Sequence, residues 1–102
     1  MLVVLTTTSS LEEAETLAER IVAEKLAACV QILPQMTSIY FWKGKIAKES
    51  EHLLMIKTLQ EKFENLETFL SLNHPYSVPE IVALPVENVS ESYMEWMINY
   101  LS

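Results

Sequence analysis

The chain has 102 residues, half of them hydrophobic, with 14 acidic residues against seven basic ones and a formal net charge of −7. The length fits one domain spanning 1–102 with a real core. Seven scattered basic residues argue against nucleic acid or anionic lipid as a partner, since both need clustered Lys and Arg. One cysteine excludes an intrachain disulfide and suits a reducing compartment.

Leu2–Thr8 is a short apolar run that predicts a buried strand. Ser10-Leu-Glu-Glu13 fits a capping box, in which the Ser hydroxyl accepts from the backbone N–H three residues on and Glu13 reaches back. Leu11, Ala14, Leu17, Ala18, Ile21 and Val22 recur at helical spacing, with glutamates opposite them. An amphipathic helix over Leu11–Lys25 follows.

Two strand-like runs come next, Val30–Trp42 and Lys45–Leu59, joined at Lys43-Gly44. Gly44 is the sole glycine, and a lone Gly between two strand patterns is a hairpin signal. Pro34 inside the first arm predicts a bulge, bend or edge. Arms of roughly 13 residues at ~3.3 Å each reach ~40 Å. A compact chain of this length has a diameter of roughly 33 Å. The far end must therefore bend back, break or pack on another chain, and its apolar aromatic content favours an interface between copies.

Phe63, Leu66, Phe69 and Leu70 place a second helix at about Glu61–Leu72. Two prolines make Asn73–Pro79 an ordered loop. Glu80–Val89 reads as a strand near an edge because of Pro85. Ser90 can cap a final helix over Glu91–Leu101. The order is βαββαβ plus a terminal helix: an α+β, ferredoxin-like antiparallel sheet with both long helices on one face.

Several residues invite chemistry. Cys29 and His74 are suitable copper or zinc ligands, with burial of the thiol and a structural hydrogen bond from the imidazole as the competing roles. They could also form a nucleophile pair, but no oxyanion or orienting motif accompanies them, so no enzyme is expected. Lys57 interrupts an aliphatic strand and must reach water, a carboxylate such as Glu80, or a bound anion. His52 alternates to the face opposite Glu49 and Glu51, which disfavours a local metal site.

Five segments carry a resemblance: Ala23-Glu-Lys-Leu-Ala-Ala-Cys29, Thr37-Ser-Ile-Tyr-Phe-Trp-Lys-Gly-Lys45, Leu54-Met-Ile-Lys-Thr58, His74-Pro-Tyr-Ser-Val-Pro-Glu80 and Tyr93-Met-Glu-Trp96. The chain resembles the CutA family of divalent-cation tolerance proteins over essentially its whole length. That resemblance implies a tight homotrimer whose long strands pair across subunits, an architecture similar to that of PII signalling proteins. It also implies a cleft between subunits formed by Cys29, Tyr40, Trp42, Lys57, His74, Tyr76 and Glu80, holding copper or another divalent cation that folding does not require. Family copper ligands include a cysteine near the end of the first strand and two adjacent histidines, positions that read Thr6, Asn73 and His74 here. PII-like binding of a small anion at Lys57, with an unidentified protein partner, and a purely structural trimer are the other readings. Met1-Leu-Val-Val-Leu5 lacks the basic start of an export signal, and no apolar run approaches membrane-spanning length, so the cytoplasm is the expected compartment.

Overall fold

A computed structural model describes all 102 residues, Met1–Ser102. The elements are β1 (Leu2–Thr8), α1 (Leu11–Ala23), β2 (Cys29–Ile32), β3 (Met36–Trp42), β4 (Lys45–Thr58), a 3-10 turn (Gln60–Lys62), α2 (Phe63–Asn73), β5 (Val82–Pro85) and α3 (Glu91–Leu101). The strands lie in the order β2-β4-β1-β5, with β3 continuing beside the outer half of β4. All pairs are antiparallel, and both helical crossovers skip one strand, which is the ferredoxin-like arrangement.

β1 and β4 form the centre of the sheet, with Val4 opposite Ile56 and Thr6 opposite Leu54. Alternation sends Leu2, Val4, Leu54 and Ile56 to one face. There they bury against Ala14, Leu17, Ala18 and Ile21 of α1 and Leu66, Phe69 and Leu70 of α2. A smaller cluster seats Met97 and Leu101 of α3 on Ala28 at the end of the sheet. The opposite sheet face carries Val3, Leu5, Leu53, Met55, Val82 and Leu84 in register, and no helix covers it; Val82 and Leu84 are 45% and 46% exposed.

Four boundaries differ from the sequence reading. The first hairpin arm is two strands, because Leu33-Pro34-Gln35 breaks the ladder. His52 Nδ1–H donates to the Leu33 carbonyl at 3.1 Å and holds that break against β4. The first helix stops at Ala23, where Lys25 takes a left-handed φ of 57°. Lys25 N–H then donates to Val22 O and Leu26 N–H to Ile21 O, a Schellman ending built without glycine. The 3-10 turn precedes α2, so that helix is displaced to Phe63–Asn73. The last strand is Val82–Pro85 rather than Glu80–Val89. At its start, the Thr7 carbonyl that a longer β5 would use accepts instead from the His74 side chain.

Both helix caps also carry detail. Ser10 Oγ accepts from Glu13 N–H at 3.1 Å, but the Glu13 carboxylate accepts from the hydroxyls of Ser9 and Ser10 rather than from the cap backbone. Ser90 stands at the N-cap of α3 without a side-chain capping bond. At the hairpin tip Lys43 (φ 50°) and Gly44 (φ 83°) are both left-handed, the signature of the two-residue turn that matches strand twist. The extents, 45 × 25 × 22 Å, reflect the projecting hairpin.

Candidate functional site

A cavity of about 790 Å³ opens where the β3–β4 hairpin leaves the central sheet, walled on its far side by the loop Tyr76–Glu80. Register fixes which side chains enter it. Ser38 pairs with Glu49 and Tyr40 with Ala47, so Ser38, Tyr40, Trp42, Glu49 and Glu51 share the uncovered sheet face. Thr7 joins them from β1, and Tyr76 and Glu80 from the loop. Three carboxylates, Glu49, Glu51 and Glu80, thus line a cavity that has no basic residue in its wall. The molecule's one ion pair, Arg20–Glu24, lies elsewhere on the surface of α1.

Glu51 is the centre of the arrangement and is only 6% exposed. The Tyr76 hydroxyl donates to its Oε2 at 2.7 Å. Burial would push the carboxyl pKa up, but hydrogen bonding from Ser38, Tyr76 and Thr7 outweighs it and holds the group below the ordinary carboxylate range. Glu80 shifts the other way: burial and the Glu51 charge raise it. Tyr76 is raised by burial and by its bond to Glu51, so its phenol stays a donor. Tyr40 is raised as well, by desolvation and then by Glu49 and Glu51.

His74 stands behind the loop and is buried. Its Nε2–H donates to Thr7 O at 2.7 Å, since a carbonyl can only accept. Its Nδ1 accepts from Tyr76 N–H at 3.0 Å. These bonds fix the neutral Nε2–H tautomer, and burial holds the pKa below the ordinary imidazole value. Both nitrogens are therefore engaged, and His74 orients Tyr76 toward Glu51 instead of offering a lone pair to a metal.

The predicted cleft residues fall into two groups within one chain. Tyr40, Trp42, Tyr76 and Glu80 meet at the cavity, with His74 as their support. Cys29 and Lys57 pair with each other at the opposite end of the sheet. Lys57 Nζ lies 5.5 Å over the Tyr93 ring of α3. Lys57 lies six positions along β4 from Glu51, about 20 Å of strand.

Within one chain the copper-type ligand set is not assembled. Thr6 faces the helix-covered core, where its hydroxyl is buried without a hydrogen-bond partner. Asn73 Nδ2–H donates to Phe69 O, and Asn73 Oδ1 accepts from Arg20. Cys29 and His74 lie far apart, and no three His, Cys, Asp or Glu side chains converge as a metal site. Cys29 and His74 thus do not make a soft-metal donor set in one chain.

Glu51, Glu49, Ser38 and Thr7 were not expected at the site. One signal for Glu51 was present: it falls in phase with Leu53, Met55 and Lys57 on β4, a carboxylate on an apolar stripe.

A sequence profile of the family described as CutA1 divalent ion tolerance protein matches residues 2–100. The chain belongs to the CutA1 family. CutA from Thermus thermophilus, a divalent-cation tolerance protein, is 46% identical over 95 residues, which are 93% of this chain and 92% of that protein. Chloroplastic CutA of Arabidopsis thaliana is 47% identical over 98 residues, covering 96% of this chain; the chain spans 54% of that protein's length. Among solved structures, a point variant of CutA1 from Pyrococcus horikoshii superposes with a TM-score of 0.96 at 32% identity, covering 100% of this chain and 99% of its own. The periplasmic divalent cation tolerance protein CutA from Archaeoglobus fulgidus gives 0.95 at 35% identity, with both chains fully covered. These likenesses establish the CutA1 fold and the divalent-cation tolerance family.

Proposed function

We propose that this CutA1-family protein is a non-catalytic cytoplasmic homotrimer that binds a divalent cation at clefts between its subunits. The observation that carries the reading is the cavity at Glu51: three carboxylates, no basic neighbour in the wall, and an opening onto the uncovered sheet face. Carboxylate and hydroxyl oxygens suit hard cations such as Ca²⁺, Mg²⁺ or Mn²⁺ rather than copper. Water or a neighbouring copy would supply the remaining oxygens. Binding rather than turnover is supported by the distance between Cys29 and His74, which leaves the thiol without that base.

Calorimetric titration of the intact protein with Mn²⁺, Ca²⁺ and Cu²⁺ tests the site. Saturable Mn²⁺ or Ca²⁺ binding that weakens at least tenfold in Glu51→Gln is expected. Specific Cu²⁺ binding unaffected by Glu51→Gln would overturn it.

One observation favours a second reading. Lys57 has no carboxylate partner and is held over Tyr93, a position from which it could receive a small anion in the manner of a PII-like signalling trimer. A thermal-shift screen with phosphate, nucleotides and dicarboxylates, run on wild type and Lys57→Met, checks it; no Lys57-dependent shift would remove it.

A further inference from the structure

We infer that the cavity between the hairpin and the Tyr76–Glu80 loop takes an organic cation, an alkylammonium or guanidinium group, seated against Tyr40 and Trp42. The inference rests on the reading of this cavity as a cation site and names a ligand class that a bare ion does not represent.

Size is the first argument. In the single chain the space measures about 790 Å³, within the range of small-molecule sites, roughly 300–1,000 Å³, and far more than one coordinated ion fills. Coordination is the second. A metal needs several ligands converging on one point, and no three acidic, thiol or imidazole side chains of one chain do so, so a metal here depends on water or a neighbouring copy for its remaining oxygens. An ammonium has no such requirement: its charge is satisfied by carboxylates at the rim and by ring faces.

Wall chemistry is the third argument. Tyr40 and Trp42 alternate inward from the same strand and expose aromatic surface, at 40% and 42% of their full area. Aromatic faces attract cations within about 6 Å of the ring centroid, Trp best. A hydrated metal ion gains little from them. Glu51 is already oriented by the Tyr76 hydroxyl, while Glu49 and Glu80 have no basic partner. The hydroxyls of Ser9 and Ser38 can accept ammonium N–H bonds. An anion would meet three carboxylates, with Lys45, the cross-strand partner of Trp42, as the one basic residue on that hairpin face.

The test titrates the full chain in its native assembly with n-butylammonium chloride, with n-butanol as the neutral isostere, and with Mn²⁺. Expected are saturable butylammonium binding and none by butanol. Butylammonium should weaken at least tenfold in both Trp42→Leu and Glu51→Gln and recover in Trp42→Phe. Mn²⁺ should respond to Glu51→Gln alone. Mn²⁺ binding without any butylammonium binding would overturn the inference and leave the cation reading standing. Failure of both would overturn both. Butylammonium binding unchanged by Trp42→Leu would refute the aromatic seat. Sedimentation and circular dichroism of each variant separate loss of binding from loss of assembly or fold, and Tyr40→Leu is the replacement test if Trp42→Leu fails either.

Discussion

His74 ties three things together: the Thr7 carbonyl at the end of β1, the Tyr76 amide, and through Tyr76 the carboxylate of Glu51. Only neutral imidazole can hold both of its bonds, because a protonated Nδ1 would face the Tyr76 N–H as a second donor. Burial lowers the folded-state pKa while Glu13 and Glu51, the nearest charges, pull it up without reversing the shift. The stabilisation is complete above the unfolded value of about 6.5 and is lost as pH falls through the lower folded value. Glu51, also lowered, adds a loss in the carboxylate range, whereas the raised Glu80 acts in the opposite sense. Urea unfolding at pH 7.5 and 5.5 should show wild type weakening, and His74→Gln nearly flat between the two. The variant should be about 1–3 kcal/mol less stable at pH 7.5, the cost of buried groups left unpaired. A pH slope unchanged by the substitution would show that another group sets it. For His74 the sequence offered a loop tie and a metal ligand side by side and could not choose between them, since it shows an imidazole and not which atoms saturate it. Glu51 was harder to find, because its burial depends on a loop some 25 residues away in the chain.

At the scale of elements, the hairpin was the most readable part. Its single glycine, its aromatic arm and its excess length all pointed to the same feature. The break at Pro34 was legible as a disturbance, though its form was not, because the His52 bond that shapes it joins residues 19 apart. The last strand was over-read at both ends: at its start a side chain has taken the Thr7 carbonyl, and beyond Pro85, opposite Leu2, β1 has no further residues to pair with after the Val86 N–H to Met1 O bond. A Cβ on Gly44 would meet no atom within 4 Å, so substitution there acts through backbone strain alone. Gly44→Ala should therefore cost about 1–2 kcal/mol by urea unfolding. Lys43→Asn, which tolerates a positive φ, should be neutral or slightly stabilising. Equal stability of Gly44→Ala and wild type would mean that the turn re-forms in another geometry.

The whole molecule has two unlike sides. Helices α1 and α2 cover one sheet face, while the other is an open apolar stripe; on the projecting hairpin, beyond the helices, the face opposite Tyr40 and Trp42 is bare as well, with Ile39, Phe41 and Ile46 exposed at 64%, 69% and 65%. Surface of that extent marks an interface. Sedimentation equilibrium at micromolar concentration should give the mass of three 11.7 kDa chains. Val82→Glu, on the open face, should shift the protein to monomers, and Leu72→Glu, exposed on α2, should leave the trimer intact. A monomeric wild type would sink the assembly. This asymmetry was partly legible: strand arithmetic exposed the length mismatch, but pairing order was needed to show which face stays bare.

β4 has 14 residues and is bonded in succession to β3, β2 and β1. The hairpin half closes locally, on the ~1–10 µs scale of hairpins, whereas pairing with β1 must close a loop of nearly half the chain. The Lys43-Gly44 turn therefore acts as a ruler set early in folding. A two-residue slip would keep every side chain on its face but would carry Glu51 out of reach of Tyr76. An error at a solvent-exposed tip would be read out about 20 Å away, as a carboxylate in the wrong place.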